Sequence, residues 1–179
     1  MMPLAILGIL IASAVAMFEG HLKRLLASSS IAQIGYILLG VSFVSIAGLS
    51  ASAMHIFNHA LAKGGLFLVV ACLAYQYRDL RLDQLGGAST RMPWTCAAFV
   101  VCGLSLIGVP GTAGFISKWM LINAALENGP WGWGLVAIIL VSSLMAVVYI
   151  WRIVEALYFQ TPAEGEAPQS EAPVQLLLV

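Results

Sequence analysis

Four basic side chains lie inside apolar sequence, where they could exchange protons. His55, His59 and Lys63 follow one another at intervals of four in the segment HIFNHALAKGG, and Lys118 lies in GFISKWMLIN. Intervals of four place side chains along one side of a helix, with about 40° of drift per step and about 12 Å of rise over the three. Imidazole and a desolvated amine both exchange protons near neutral pH. The pattern therefore favours a proton relay.

Two other interpretations of the histidines stay open. A neutral imidazole buried against a neighbouring helix and hydrogen-bonded to it is common. An HxxxH pair can also bind a metal, but this helix holds no carboxylate or third ligand, and the neighbouring charge is a cation. A lysine at the centre of a membrane helix costs about 2.5 to 3.5 kcal/mol, against about 0.3 to 0.6 kcal/mol recovered per apolar residue. This side of the helix must therefore face protein or water.

The apolar segment around Lys118 carries a predicted helix break at Pro110 and Gly111. As one helix, residues 93–123 would extend about 46 Å, which exceeds the roughly 30 Å hydrocarbon core of a bilayer. Proline removes a backbone donor, and Gly111 and Gly114 permit unusual dihedral angles. Backbone groups freed at membrane depth need partners in protein or in a water-lined cavity. An interrupted helix beside a buried amine indicates a polar path, so ion translocation is the first hypothesis.

Composition sets the class of protein. The chain is 61% hydrophobic and 9% charged, with a mean hydropathy of +0.96, whereas a soluble domain has about 25% charged residues. This composition predicts an integral membrane protein. Eight basic and eight acidic residues, without a basic run, argue against nucleic-acid binding. Cys72, Cys96 and Cys102 lie in apolar segments without a CxxC pair and are expected to pack; neither a metal nor a redox cofactor is predicted.

The elements that must position these groups are helices, and we predict an all-α membrane protein with five transmembrane helices. Ser28, Ser29 and Ser30 are expected to cap the second of them, and Gln33 and Tyr36 to pack against its neighbours. Residues 161–179 are predicted to be a flexible tail, rich in Pro and Glu, that ends in the first turns of a further helix. Residues 1–160 form the transmembrane domain, with spans at 3–18, 28–49, 51–75, 93–123 and 131–158.

The basic residues outside the predicted spans indicate the orientation. They occur only in the first connection, the third connection and near the carboxyl end; they are Lys23, Arg24, Arg78, Arg81, Arg91 and Arg152. Positive residues collect on the cytoplasmic side. We therefore expect a multi-pass protein of the cell (inner) membrane with its amino end outside and its carboxyl end cytoplasmic.

Several long motifs resemble the antiporter-like membrane subunits of Mrp-type cation/proton antiporters, respiratory complex I and membrane-bound hydrogenases, with the Mrp-type D subunit as the nearest likeness. The motifs include HLKRLLASSSIAQIGYILLG, HIFNHALAKGGLFLV and SLIGVPGTAGFISKW, and the resemblance covers residues 1 to about 160. It implies a fold of about fourteen helices with two inverted five-helix repeats, of which this chain is the second. It also implies that Lys118 belongs to the proton-storage site of a half-channel, and that Lys63, His59 and His55 line a hydrated central axis.

The resemblance further implies a subunit that translocates protons, with Na⁺ or K⁺ as alternative coupled ions and other membrane subunits as partners in the lipid bilayer. No carboxylate of the chain is predicted at membrane depth, so a partner is expected to supply the counter-charge. The alternative is a non-transporting structural subunit or a truncated fragment of one. In an NADH:quinone oxidoreductase-like or hydrogenase complex, the redox chemistry would belong to other subunits, and the chain is not predicted to be an enzyme by itself.

Overall fold

Helices make up most of residues 1–161, the part of the chain that a computed structural model describes. The all-α prediction is confirmed for these residues, whereas the predicted tail from residue 162 onward lies outside them. α2, α3 and α7 with its preceding turn are long and apolar enough to cross a membrane, and three shorter apolar helices accompany them. In chain order the helices are α1 (Met2–Phe18), α2 (Leu22–Ser42), α3 (Ile46–Gln76), α4 (Ala88–Arg91), α5 (Pro93–Ile107), α6 (Ala113–Leu126) and α7 (Gly132–Tyr158), with 3-10 turns at Leu82–Gln84 and Gly129–Trp131.

The bounds of α2 and α3 differ from the predicted spans. α2 begins at Leu22, so the serines lie inside the helix rather than at its start. The Ser29 and Ser30 hydroxyls donate to the Leu26 carbonyl instead of capping the helix. The predicted cap is therefore wrong. α2 also ends earlier than predicted, and the chain turns at Val44, which has a φ of 51°. Ser45 caps the start of α3, because its hydroxyl accepts a 3.0 Å hydrogen bond from the amide of Gly48.

The predicted interruption near Lys118 is present, since α5 ends at Ile107 and α6 begins at Ala113. Gly108 follows the last residue of α5 and terminates the helix, because it adopts the left-handed region with a φ of 87°. The amides of Gly108 and Val109 donate back to the carbonyls of Ser105 and Leu104, which is the hydrogen-bond pattern of a Schellman cap. The helix therefore stops before Pro110, and the proline prevents it from resuming at once.

Buried side chains form two apolar clusters, and α1, α2, α3 and α7 contribute residues to both. The first cluster includes Leu66, Phe99 and Tyr149, and the second includes Tyr36 and Leu121. α3 packs against α2, α5 and α6, while α7 packs against α1, α5 and α6. Large apolar side chains on the outer faces remain exposed, as expected of helices surrounded by lipid. The outer faces include Leu4, Ile31, Phe57, Trp119 and Leu144.

Two connections and the end of α7 meet at one end of the bundle. The Leu22 amide donates to the Leu80 carbonyl and the Leu82 amide donates to the Gly20 carbonyl, each at 2.9 Å. The guanidinium of Arg152, near the end of α7, donates to the carbonyl of Met17 at the end of α1. The three basic segments of the sequence thus lie on the same side of the bundle.

We expect Gly111→Ala to destabilise the protein by about 1 to 2 kcal/mol, the cost of a left-handed conformation in a residue with a Cβ. Gly111 has a φ of 93°, and a Cβ there would meet no atom within 4 Å, so the effect is one of backbone conformation alone. The midpoint of thermal unfolding in detergent measures it. Gly8→Ala is the control, because Gly8 also has open space but a helical φ. Equal midpoints for the two variants would contradict the prediction.

Candidate proton-path residues

Lys118 points from α6 back to the end of α5. Its Nζ donates to the carbonyl of Ile107 at 2.7 Å, to the carbonyl of Leu106 at 3.2 Å and to the hydroxyl of Ser143 on α7 at 3.1 Å. The side chain is 5% exposed. The last carbonyls of a helix lack intrahelical partners and carry the negative end of its dipole. The interrupted helix therefore stabilises the buried ammonium group without a carboxylate.

Close contacts hold the start of α6 against α5 and α3. Gly114 lies against the backbone of Ser105, where a Cβ would be 2.8 Å from the Ser105 carbonyl carbon. The Gly114 amide donates to the Ser105 hydroxyl at 3.3 Å, and the Asn58 side-chain amide donates to the Ala113 carbonyl at 2.6 Å. Glycine is thus required at residue 114 by the close approach of α5, and Asn58 ties the broken helix to the helix that carries the histidines.

Lys63 is buried between α3 and α2 and is 5% exposed. Its Nζ donates to the carbonyl of Leu26 at 2.6 Å and to the hydroxyl of Ser29 at 2.5 Å. The ammonium also lies 6.0 Å from the ring centroid of Phe67. Like Lys118, this lysine is held by a backbone carbonyl and a serine hydroxyl.

His55 joins three helices, whereas His59 is only partly enclosed. His55 contacts the Gln33 side-chain oxygen through Nε2 and the Ser117 hydroxyl through Nδ1, each at 3.0 Å. Its ring lies 6.4 Å from that of His59, and the two rings are nearly parallel. Among residues 1–161, no hydrogen-bond partner reaches the buried Nδ1 of His59. A small cavity lies beside the two histidines, and the centre of a water molecule can occupy about 10 Å³ of it. The residues that line the cavity are Gln33, His55, Asn58, His59, Ala62, Ser105, Leu106 and Gly114.

Contacts connect three of the predicted side chains, which are His55, His59 and Lys118. Tyr36 lies between two of them, with its ring centroid 5.1 Å from Nζ of Lys118 and 5.5 Å from the ring of His55. Ser117 binds His55 and precedes Lys118 in the chain, so the α3 histidine reaches the broken helix directly. Pro110 and Gly111 are exposed in the loop between α5 and α6. Pro110 lines an outward groove of about 420 Å³ together with Lys118 and mainly apolar side chains.

Residues that the sequence interpretation assigned to capping or packing also contact the site. Gln33 binds His55, Tyr36 contacts Lys118, and Ser29 binds Lys63. All three occupy one face of α2, since their spacing of four and three residues matches the helical repeat. A polar stripe at positions 29, 33 and 36 of α2 was the available signal. Ser117 and Ser143 gave no comparable signal, because serine also occurs in packed membrane helices.

Neither buried lysine has a carboxylate partner within residues 1–161. The acidic side chains of this region lie in loops or at helix ends; they are Glu19, Asp79, Asp83, Glu127 and Glu155. Within residues 1–161, no group of three His, Cys, Asp or Glu side chains could hold a metal ion. The titratable side chains that lie buried here are amines and imidazoles, two groups that can exchange protons.

Comparison with known proteins identifies the family that this chain resembles. Residues 1–146 match the family described as NADH:quinone oxidoreductase/Mrp antiporter, TM. NADH-quinone oxidoreductase subunit N of Desulforudis audaxviator is 39% identical over 171 residues, which cover 95% of this chain and 34% of that relative. The chain thus spans about a third of the length of the curated relatives it matches. The finer prediction of the Mrp-type D subunit is not confirmed, because several similar relatives carry the name subunit N.

Two solved structures share the fold over most of the chain. One is a chain of the Mrp complex from Dietzia sp. DQ12-45-1b, with a TM-score of 0.84 and 28% identity over 94% of this chain and 34% of that one. The other belongs to the membrane-bound sulfane sulfur reductase, an archaeal respiratory membrane complex. Its TM-score is 0.88, with 36% identity over 97% of this chain and 28% of that one.

Proposed function

Because this chain belongs to the NADH:quinone oxidoreductase/Mrp antiporter transmembrane family, we propose that it forms the proton-translocating part of a membrane subunit in a multisubunit complex. The protein is a multi-pass membrane protein. The observation that carries the proposal is the placement of Lys118, a buried amine held by the end of an interrupted helix and linked through Ser117 to His55. Lys63 and His59 extend the group along α3.

In the proposed mechanism, Lys118 gains and releases a proton as its surroundings change. An opposite charge nearby raises the proton affinity of an amine and desolvation lowers it, so a modest movement can load or unload the group. Movement between α5 and α6 changes the distance from Nζ to the Leu106 and Ile107 carbonyls. His55, His59 and Lys63 are the intermediate stations. The 10 Å³ cavity beside the histidines has room for at most about one water, so a continuous file of water requires the helices to separate.

The proposal includes a membrane arrangement. We assign five crossings, with α5 and α6 together as the fourth, and identify the chain as one inverted-repeat half of a fourteen-helix fold. Each of the two short helices is about 21 to 23 Å long, too short to cross a bilayer alone. The basic segments gathered at one end support an amino end outside and a carboxyl end in the cytoplasm.

The proposed partners are other membrane subunits. The similar proteins are named as parts of an NADH-quinone oxidoreductase, an Mrp complex and a sulfane sulfur reductase complex. Such a subunit, or the part of the relatives' length that this chain does not span, supplies the carboxylate that residues 1–161 lack near Lys118. The transported ion is the proton, either alone or exchanged for Na⁺ or K⁺. The family match does not favour the alternative, a non-transporting structural subunit or truncated fragment whose lysines are bound by carbonyls and never titrate.

The first test is the native assembly state of the protein. After expression from its own locus and extraction in mild detergent, we expect the chain to migrate in a large complex with other antiporter-like subunits. Membrane vesicles that contain this complex should acidify when supplied with NADH, or exchange protons when challenged with Na⁺ or K⁺. Recovery of the chain alone, with vesicles that move no protons under either condition, would favour the structural alternative.

A further inference from the structure

We propose that Ser29, Ser117 and Ser143 are positioning residues of the proton path, each a reversible hydrogen-bond partner for the titratable side chain beside it. The inference rests on the proposed function and adds residues to it. Each serine hydroxyl lies 2.5 to 3.1 Å from a titratable nitrogen, on Lys63, His55 and Lys118 respectively. A hydroxyl both donates and accepts, and its hydrogen rotates freely. A backbone carbonyl accepts only.

At Lys118 the count of donors and acceptors singles out Ser143. The ammonium has three N–H donors, and its three partners are the carbonyls of Leu106 and Ile107 and the hydroxyl of Ser143. The neutral amine keeps two donors and gains a lone pair that needs a donor. Neither carbonyl can supply one. Ser143 alone among these partners satisfies both protonation states, by turning its hydrogen toward Nζ.

The same reversal operates at Lys63. When Lys63 is charged, it donates to Ser29, and the Ser29 hydroxyl donates onward to the Leu26 carbonyl at 2.9 Å. When Lys63 is neutral, the Ser29 hydrogen turns to its lone pair, while the Leu26 carbonyl continues to accept from the amine. Nζ of Lys63 and the Ser29 hydroxyl therefore keep a hydrogen bond to each other in both states.

At His55 the hydroxyl of Ser117 switches between two acceptors. The Gln33 oxygen accepts from Nε2, so in the neutral imidazole Nδ1 accepts from Ser117. When Nδ1 gains a proton it becomes a donor, and the Ser117 hydroxyl then donates to the Gly114 carbonyl at 3.1 Å. Gln33 fixes which ring nitrogen titrates, and Ser117 accommodates the change.

The charged and titratable neighbours differ among the three groups. Lys118 faces Tyr36 and His55, and His55 faces Tyr36, His59 and Lys118. Lys63 faces His59 on its own helix, and the Ser29 beside it interacts with Tyr149 of α7. No serine of the described residues donates to or accepts from the buried Nδ1 of His59. A serine partner is therefore found for His55, Lys63 and Lys118 but not for His59.

The test compares Ser143→Thr with Ser143→Val in the assembled complex. Threonine keeps the hydroxyl and valine replaces it with a methyl group of the same shape, and the outward groove beside Ser143 leaves room for either side chain. We expect Ser143→Val to slow proton translocation by about tenfold, because Lys118 then has an N–H group without a partner when charged and a lone pair without a donor when neutral. The pH dependence of the rate should also shift. Ser143→Thr should retain most of the rate and the native pH profile.

Ser52→Ala is the matched control, because Ser52 is 1% exposed and its hydroxyl donates to the Ile37 carbonyl rather than to a titratable side chain. It should leave both rate and pH profile unchanged. Equal rates and equal pH profiles for the Thr and Val variants, in a complex that Lys118→Ala inactivates, would overturn this inference and leave the proposed function intact. Transport that survives Lys118→Ala would remove the proposed function and the inference with it.

Discussion

Lys118→Ala should lower proton-coupled transport by the assembled complex by about 10²- to 10⁴-fold, the range expected when a proton-transfer group is lost. Complex formation should persist, because the truncated side chain leaves the close contact of Gly114 with α5 in place. The measurement is the initial rate of pH change in vesicles, normalised to the amount of complex recovered by native electrophoresis.

Two further variants separate proton exchange from positive charge. Lys118→Arg keeps a cation but cannot release a proton at physiological pH, so it should be as inactive as the alanine variant. Lys23→Ala removes a lysine that is exposed near the start of α2 and should transport normally. Transport at the native rate with arginine at residue 118 would show that the charge acts only as a structural element.

Gly114→Val should have the second large effect, on both stability and transport. A Cβ at this position would overlap the Ser105 carbonyl, which belongs to the rigid backbone of α5 rather than to a flexible side chain. α5 and α6 must then separate, and Lys118 loses its short bonds to the carbonyls at the end of α5. We expect a loss of about 1 to 3 kcal/mol in the free energy of unfolding, and transport reduced by at least about tenfold.

Gly134→Ala provides the comparison for this prediction, since a Cβ at Gly134 would meet no atom within 4 Å. It should leave the thermal unfolding midpoint of the complex unchanged or slightly raised, because alanine favours the helix. The smaller variant Gly114→Ala should fall between glycine and valine. A native unfolding midpoint for Gly114→Val would mean that α5 and α6 approach each other less closely than the structure indicates.

The two interpretations of the site differ in what the lysines do rather than in where they lie. Both the transporting and the structural interpretation place the Lys118 ammonium on the carbonyls of Leu106 and Ile107. A structural lysine only needs acceptors. The serines beside Lys63, His55 and Lys118 can also donate, which a permanently charged group would not need. That feature favours transport and makes the comparison of Thr and Val at residue 143 informative for both interpretations.

Local features of the sequence predicted the class and the shape of the site. Composition alone indicated a membrane protein, and intervals of four placed His55, His59 and Lys63 on one side of a helix. Pro110 and the glycines near it predicted the break, although Gly108 is the residue that ends α5. The start of α2 was misplaced because a serine hydroxyl can cap a helix or bond back into it, and sequence does not distinguish the two.

The sequence by itself therefore determined the membrane class, the helical stripe of titratable groups and the interrupted helix, because these depend on composition and on residues within a few turns of one another. Only the tertiary structure decided which atoms each group meets. Gln33 and Ser117 lie 22 and 62 residues from His55, and Ser143 lies 25 residues from Lys118. Contacts over such separations depend on which helix faces pack together, and that packing is fixed by the fit of side chains across the whole bundle.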